Sequence, residues 1–76
     1  MSFQAYLKTI KEKTALGPAE FRKKAEEKGF TENGNLKATV KAGDIVAWLK
    51  EEYQLGHGHA MAIYALLKGI KDENSL

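Results

Sequence analysis

Residues 60–67 constrain the fold of this 76-residue chain more than any other segment. Their sequence, AMAIYALL, has no polar stripe of the kind that a surface helix turns toward solvent. As a helix, the segment must be covered by other elements on nearly all sides. Gly69 weakens its far end. The pattern therefore predicts a helix that starts at about Gly58 and lies at the centre of a small bundle.

The first segment of the chain has one apolar helical face. Its residues recur at i, i+3, i+4 and i+7, the spacing of an amphipathic helix: Phe3, Tyr6, Leu7 and Ile10. Ser2 is a good N-cap because its hydroxyl can accept from a free amide of the first turn. A helix is predicted over about residues 2–14.

A second helix is predicted over about residues 18–28. Pro18 suits the first helical position, where its missing amide proton has no cost. Gly29 can adopt the left-handed conformation that ends a helix, and Phe30 can then fold back onto it.

A third helix has its apolar face at residues Ile45, Trp48, Leu49 and Tyr53. Asp44 can cap this helix, although Thr39 or Lys41 can also begin it earlier. Gly56 is a natural stop. The apolar spacing places Trp48, and Leu67 of the last helix, in the core.

Residues 31–38 are predicted to form a loop. Asn33, Gly34 and Asn35 favour a turn because they tolerate positive φ. A hairpin needs alternating strands on both sides, and no clear partner strand precedes the turn. A strand is therefore not expected here.

These elements predict an all-α fold, a compact bundle of about four short helices with the C-terminal helix central. We expect a single domain over residues 1–70 and a frayed C-terminal tail at 71–76. Hydrophobic residues make up 43% of the chain, which is enough for one core. The chain has no cysteine, which excludes disulfides and thiolate metal sites.

Charge is unevenly distributed along the chain. Residues 8–28 carry seven basic and four acidic side chains, whereas residues 44–76 carry three basic and five acidic ones. Arg22, Lys23, Lys24 and Lys28 are the candidates for weak, non-specific nucleic-acid binding through phosphate contacts. Interleaved glutamates make a solvated helix surface the competing interpretation.

Four segments together resemble a bacterial family known as domain of unknown function 4287: MSFQAYL at 1–7, GPAEF at 17–21, VKAGDIVAWLK at 40–50 and LGHGHAMAIYA at 55–65. The resemblance covers about residues 1–70, and its glycine-histidine segment is the most specific part. It implies a small helical bacterial domain. It implies no catalytic residue, substrate or cofactor.

The Gly-His-Gly-His turn that opens the last helix is the main candidate site. Free amides of a helix N-terminus, with a histidine, suit an anion such as phosphate or a carboxylate. The candidate residues are His57, Gly58, His59 and Ala60. The competing interpretation is a purely structural turn between two helices, and it is favoured for this segment taken alone because a single short motif often occurs without a site.

Catalytic and metal functions have little support. Two histidines two residues apart match no standard zinc motif, and Asp44 with His57 and His59 lacks an accompanying nucleophile. We expect no metal, no cofactor and no enzymatic activity, with a small metal-dependent or hydrolytic enzyme as the third possibility. We expect a binding module for a protein partner or a small anion.

We expect a cytoplasmic protein without a membrane partner. The first residues lack the basic region and apolar core of a signal peptide. No apolar run approaches the ~20 residues that span a bilayer.

Overall fold

A computed structural model describes residues 3–33 and 35–70. It contains helices α1 (Phe3–Thr14), α2 (Pro18–Glu27), α3 (Ala42–Tyr53) and α4 (His57–Lys68), and two short strands, β1 (Thr31–Glu32) and β2 (Asn35–Leu36). The predicted bundle of four short helices is confirmed. The predicted Ser2 cap and the predicted tail at 71–76 lie outside the described residues.

Helix α4 lies at the centre of the bundle. It contacts α1, α2 and α3, and also β2. Five of its residues are buried: Ala60, Ala62, Ile63, Leu66 and Leu67. Trp48 on α3 is also buried. The predictions of a central last helix and of Trp48 and Leu67 as core residues are confirmed.

The prediction of a loop at residues 31–38 is wrong, because β1 and β2 form an antiparallel hairpin around Asn33. Asn33 has φ +55°, as a tight turn requires. Two-residue arms suffice because tertiary contacts hold each one: β1 packs on α2, where Thr31 is buried, and β2 packs on α4. A hydrogen bond from Lys37 N to Phe30 O extends the pairing.

The helix boundaries differ from prediction around α3. Of the alternatives, Lys41 is the N-cap, and Asp44 acts from the third helical position. The prediction that Gly56 ends α3 is wrong. The helix ends at Tyr53 because Gln54 takes the left-handed conformation, and Gly56 is instead the N-cap of α4. Helix α4 consequently begins at His57, one residue earlier than predicted.

The end of α2 follows the prediction. Gly29 has φ +81°, and Phe30 N donates to Ala25 O at 2.9 Å. This bond is the longer one of a Schellman motif, and it folds Phe30 back over α2. In residues 3–33 and 35–70, no helix has the length and apolarity to cross a membrane.

Candidate functional site

The four residues of the predicted anion site form the first turn of α4. The structure places Ala60 in the core, with its amide already donating to Gly56 O at 2.9 Å. The amides of His57, Gly58 and His59 precede the first intrahelical bond, so they have no acceptor within the helix. The helix dipole adds partial positive charge at this end.

The start of α4 differs from the starts of α2 and α3. At α2, Gly17 N donates to Glu20 Oε2 at 3.1 Å, and at α3, Lys41 N donates to Asp44 Oδ2 at 3.0 Å. A full capping box has two hydrogen bonds, one of them accepted by the side chain of the N-cap residue. Glycine and lysine have no side-chain acceptor, so at α2 and α3 only the bond to the acidic side chain forms. Helix α4 has neither a side-chain cap nor an acidic residue in its first turn.

The two histidines have different surroundings. His57 is exposed. His59 is half-buried, and its ring packs edge-on against the ring of Tyr6 with centroids 5.0 Å apart. His59 Nε2 is buried and has no hydrogen-bond partner. Of the two, His57 is therefore the one free to approach a ligand, whereas His59 holds α1 against α4.

A groove of about 400 Å³ lies between α1 and α4 beside this turn. Its lining consists of Phe3, Tyr6, His57, Gly58, Met61, Ala62 and Ala65. The described residues that line this groove include no lysine, arginine, aspartate or glutamate. A Cβ on Gly58 would lie 3.7 Å from Tyr6 Oη, an ordinary contact. Gly58 is therefore not required for close packing, and its small size leaves the groove open.

The basic residues proposed for nucleic-acid binding do not form one free surface. Lys28 pairs with Glu52 of α3 at 2.6 Å, and Lys24 lies 3.8 Å from Glu27. Arg22 and Lys23 line a groove of about 430 Å³ whose wall also includes two glutamates, Glu26 and Glu27. The structure thus places acidic side chains among these four basic ones.

Another groove, of about 320 Å³, lies on α3 and was not predicted from the sequence. Its lining consists of Lys28, Phe30, Asp44, Ala47, Trp48, Glu51 and Glu52. The spacing of Asp44, Ala47, Trp48 and Glu51 along one helical face was the available signal. We call this surface the α3 groove.

Glu52 is the most constrained carboxylate of the α3 groove. Its oxygens accept from Lys28 Nζ at 2.6 Å and from Trp48 Nε1 at 3.0 Å. The hydrogen bond from Lys28, followed by that from Trp48, holds the pKa of Glu52 below its ordinary value. The same hydrogen bond raises the pKa of Lys28. Burial raises the pKa of Tyr53, whose ring packs on Trp48.

A fourth groove, of about 280 Å³, carries positive charge and was not predicted from the sequence. It lies between β2 and the end of α4 and includes Lys37, Tyr64 and Lys68. Lys68 Nζ donates to Tyr64 Oη at 3.2 Å. The sequence gives little warning of it, since Lys37 and Lys68 lie 31 residues apart.

The structure does not bring together the residues of the enzyme alternative. Asp44 lines the α3 groove, whereas His57 lines the groove between α1 and α4. In the part of the chain that is described, no three His, Cys, Asp or Glu side chains are grouped as metal ligands.

Comparison with known proteins agrees with the resemblance seen in the sequence. No curated protein and no solved structure matches the chain. A family model described as domain of unknown function DUF4287 matches residues 2–69. Since the match covers nearly the whole chain and includes all four helices, the chain belongs to the DUF4287 family.

Proposed function

We propose that this domain is a non-catalytic binding module whose site is the groove between α1 and α4. Its ligand is an apolar segment of a partner protein that carries an anionic group. The observation that carries the proposal is the position of an uncapped helix start at the edge of an uncharged groove.

The apolar body of the ligand is favoured by the groove lining. Phe3, Tyr6 and Met61 supply aromatic and thioether surface, and methionine adapts readily to ligand shape. A volume of about 400 Å³ falls within the range of ligand pockets, ~300–1,000 Å³. Burying apolar ligand surface contributes about 25 cal/mol per Å².

The anionic group is favoured by the first turn of α4. The amides of His57, Gly58 and His59 point out of the helix start, where a negative charge is stabilised. No side chain of this turn supplies that charge. The exposed imidazole of His57 adds a hydrogen-bond donor.

The other functions are less well supported by the arrangement of residues. Nucleic-acid binding would need Arg22, Lys23, Lys24 and Lys28 to act together, yet acidic side chains lie among them. Catalysis would need Asp44 close to the histidines, yet Asp44 and His57 line separate grooves.

Three small probes separate the two halves of the proposed site: acetate, hexanoate and hexan-1-ol. Hexanoate has four more methylenes than acetate, each worth up to ~0.8 kcal/mol if buried. Because the groove is open, we expect hexanoate to bind about ten- to a hundredfold tighter than acetate. Hexanol lacks the charge and should also bind more weakly than hexanoate. Amide shifts of residues 56–61 in NMR titrations provide the measurement.

The outcomes of this titration are distinct. Equal affinities for acetate and hexanoate would remove the apolar groove from the proposal. Inorganic phosphate binding as tightly as hexanoate would identify a small anion as the ligand instead. If residues 56–61 do not respond to any of the probes, the turn is structural and the proposal fails. His57→Ala should also weaken hexanoate binding, because it removes the exposed imidazole donor at this turn.

A further inference from the structure

We propose that the α3 groove is a second binding surface, which takes an arginine-containing segment of a partner protein. This inference is independent of the function proposed for the groove between α1 and α4, because the two grooves share no residue. It rests on three features: the charge of the groove, a cation that already occupies part of it, and its aromatic wall.

The groove has an excess of negative charge. Three carboxylates line it, from Asp44, Glu51 and Glu52, against the single ammonium of Lys28. Asp44 is exposed to solvent, and its Oδ2 accepts from Lys41 N. Glu51 is exposed and attracts Lys28 through space. Charge complementarity therefore favours a cationic ligand.

The chain itself supplies an example of the expected ligand. Lys28 arrives from the end of α2, 24 residues away in sequence, and places its ammonium 2.6 Å from Glu52 Oε1. The indole N–H of Trp48 holds the other oxygen of Glu52 at 3.0 Å and so fixes the carboxylate. An external cation has the same chemistry and would meet Glu51 and Asp44 as well.

The aromatic wall favours arginine over lysine. Phe30 is half-buried, and its ring lies 5.3 Å from that of Trp48 at an angle of 59°. A planar guanidinium can pack on an aromatic ring and also donate two parallel hydrogen bonds to one carboxylate. An ammonium offers a point charge without the planar contact.

The decisive experiment removes the internal cation. A capped Arg-Ala-Arg peptide is titrated into the whole 76-residue chain, and the Trp48 indole N–H and the amides of residues 44–52 are followed by NMR. In Lys28→Gln, the peptide no longer competes with an ammonium for Glu52. Its affinity should rise about two- to fivefold, as expected for one partly exposed charge pair. General damage to the fold would weaken binding, not strengthen it.

Matched variants make the result specific. Lys24→Gln removes the same charge from α2, but Lys24 is outside the groove and pairs with Glu27, so its effect should be smaller. Glu51→Gln should weaken binding about two- to fivefold, and Glu12→Gln on α1 should leave it nearly unchanged. A capped Lys-Ala-Lys peptide should bind more weakly than the arginine peptide.

Three results would overturn the proposal. The first is an equal response of Lys28→Gln and Lys24→Gln, which would indicate a non-specific charge effect. The second is peptide-induced shifts confined to residues outside 44–52. The third is self-association of the free chain that Glu51→Gln abolishes, since the occupant would then be a second copy of this protein.

Discussion

Helices α3 and α4 are both 12 residues long, but their starts are held in different ways. Helix α3 begins in solvent, where Asp44 accepts from Lys41 N at 3.0 Å. Helix α4 begins with glycine and histidine and has no side-chain cap. Packing holds it instead, because Ala60 and Ile63 are fully buried within its first two turns. A helix fixed by its core can leave its first amides without side-chain partners, and those amides are then open to a ligand.

The largest expected effect tests whether packing holds α4. Ile63→Ala removes a fully buried side chain from the centre of the bundle, so unfolding should require ~2–5 kcal/mol less free energy. That loss is a large part of the ~4–11 kcal/mol expected for a chain of this length. Urea unfolding followed by Trp48 fluorescence measures it. Ile70→Ala, at a position 64% exposed, is the control and should change stability little. Equal effects of the two substitutions would contradict the central role of α4.

The next effect tests whether a hydrogen bond holds α3. Asp44→Ala removes the acceptor for Lys41 N and a negative charge from the first turn, with an expected cost of about 1 kcal/mol. Glu12→Ala, on the exposed side of α1, should cost at most about 0.5 kcal/mol. If thermal melts give the same loss for both variants, the start of α3 does not depend on its cap.

Periodicity predicts the helices well because each apolar face faces the same core. The faces of α1 and α3, and the almost fully apolar α4, mark the residues that the structure buries, such as Ile10, Leu49 and Ile63. The β-hairpin was missed because its two-residue arms are too short to show alternation. Contacts with α2 and α4 hold those arms, and such contacts between distant segments are not visible in local sequence.

The candidate site shows the same limit. The Gly-His-Gly-His sequence locates the uncapped turn, but it does not distinguish the exposed His57 from the packed His59. Tyr6 makes that difference from 53 residues away. The sequence also did not indicate that Lys28 pairs with Glu52, since Glu52 lies on a different helix. The run of basic residues in the sequence therefore suggested a larger unpaired positive surface on α2 than the structure shows.

A cap can be built onto α4 to make it resemble α3. Gly56→Asp places a carboxylate at the N-cap, where a Cβ meets nothing within 4 Å. The new acceptor should stabilise the fold by about 0.5 kcal/mol, since glycine is only slightly worse at this position. The new carboxylate should also accept from the amides of the first turn of α4 and so abolish hexanoate binding. Gly43→Asp adds the same charge at the start of α3, at another open position, and should leave hexanoate binding intact. Unchanged hexanoate affinity in Gly56→Asp would show that the amides are not the anion site.

The smallest effect concerns the far end of α3, where Glu52 ties this helix to α2 through Lys28. The pKa of Glu52 is lowered, first by the hydrogen bond from Lys28 and then by that from Trp48. Its stabilising contribution is therefore complete above the ordinary value of 4.5 and is lost as the pH falls through the lower folded value. The pKa of Lys28 is raised, so its contribution is lost only as the pH rises beyond 10.5. Between these limits the pair is fully charged.

Glu52→Gln tests this pH window, because glutamine can still accept from Trp48 while it lacks the charge that Lys28 requires. At pH 7 the melting temperature of the wild-type chain should exceed that of Glu52→Gln. The difference should be small because both side chains of the pair are 43% exposed, and solvent screens them. As the pH falls through the lowered pKa of Glu52, protonation removes the same charge from the wild-type chain, so the two melting temperatures should converge. Glu51→Gln removes the same charge near Lys28 but leaves the hydrogen bond from Lys28 to Glu52 in place, so at pH 7 it should change the melting temperature less. If the difference in melting temperature between the wild-type chain and Glu52→Gln does not change as the pH is lowered to 2, the contribution of Glu52 does not depend on its charge.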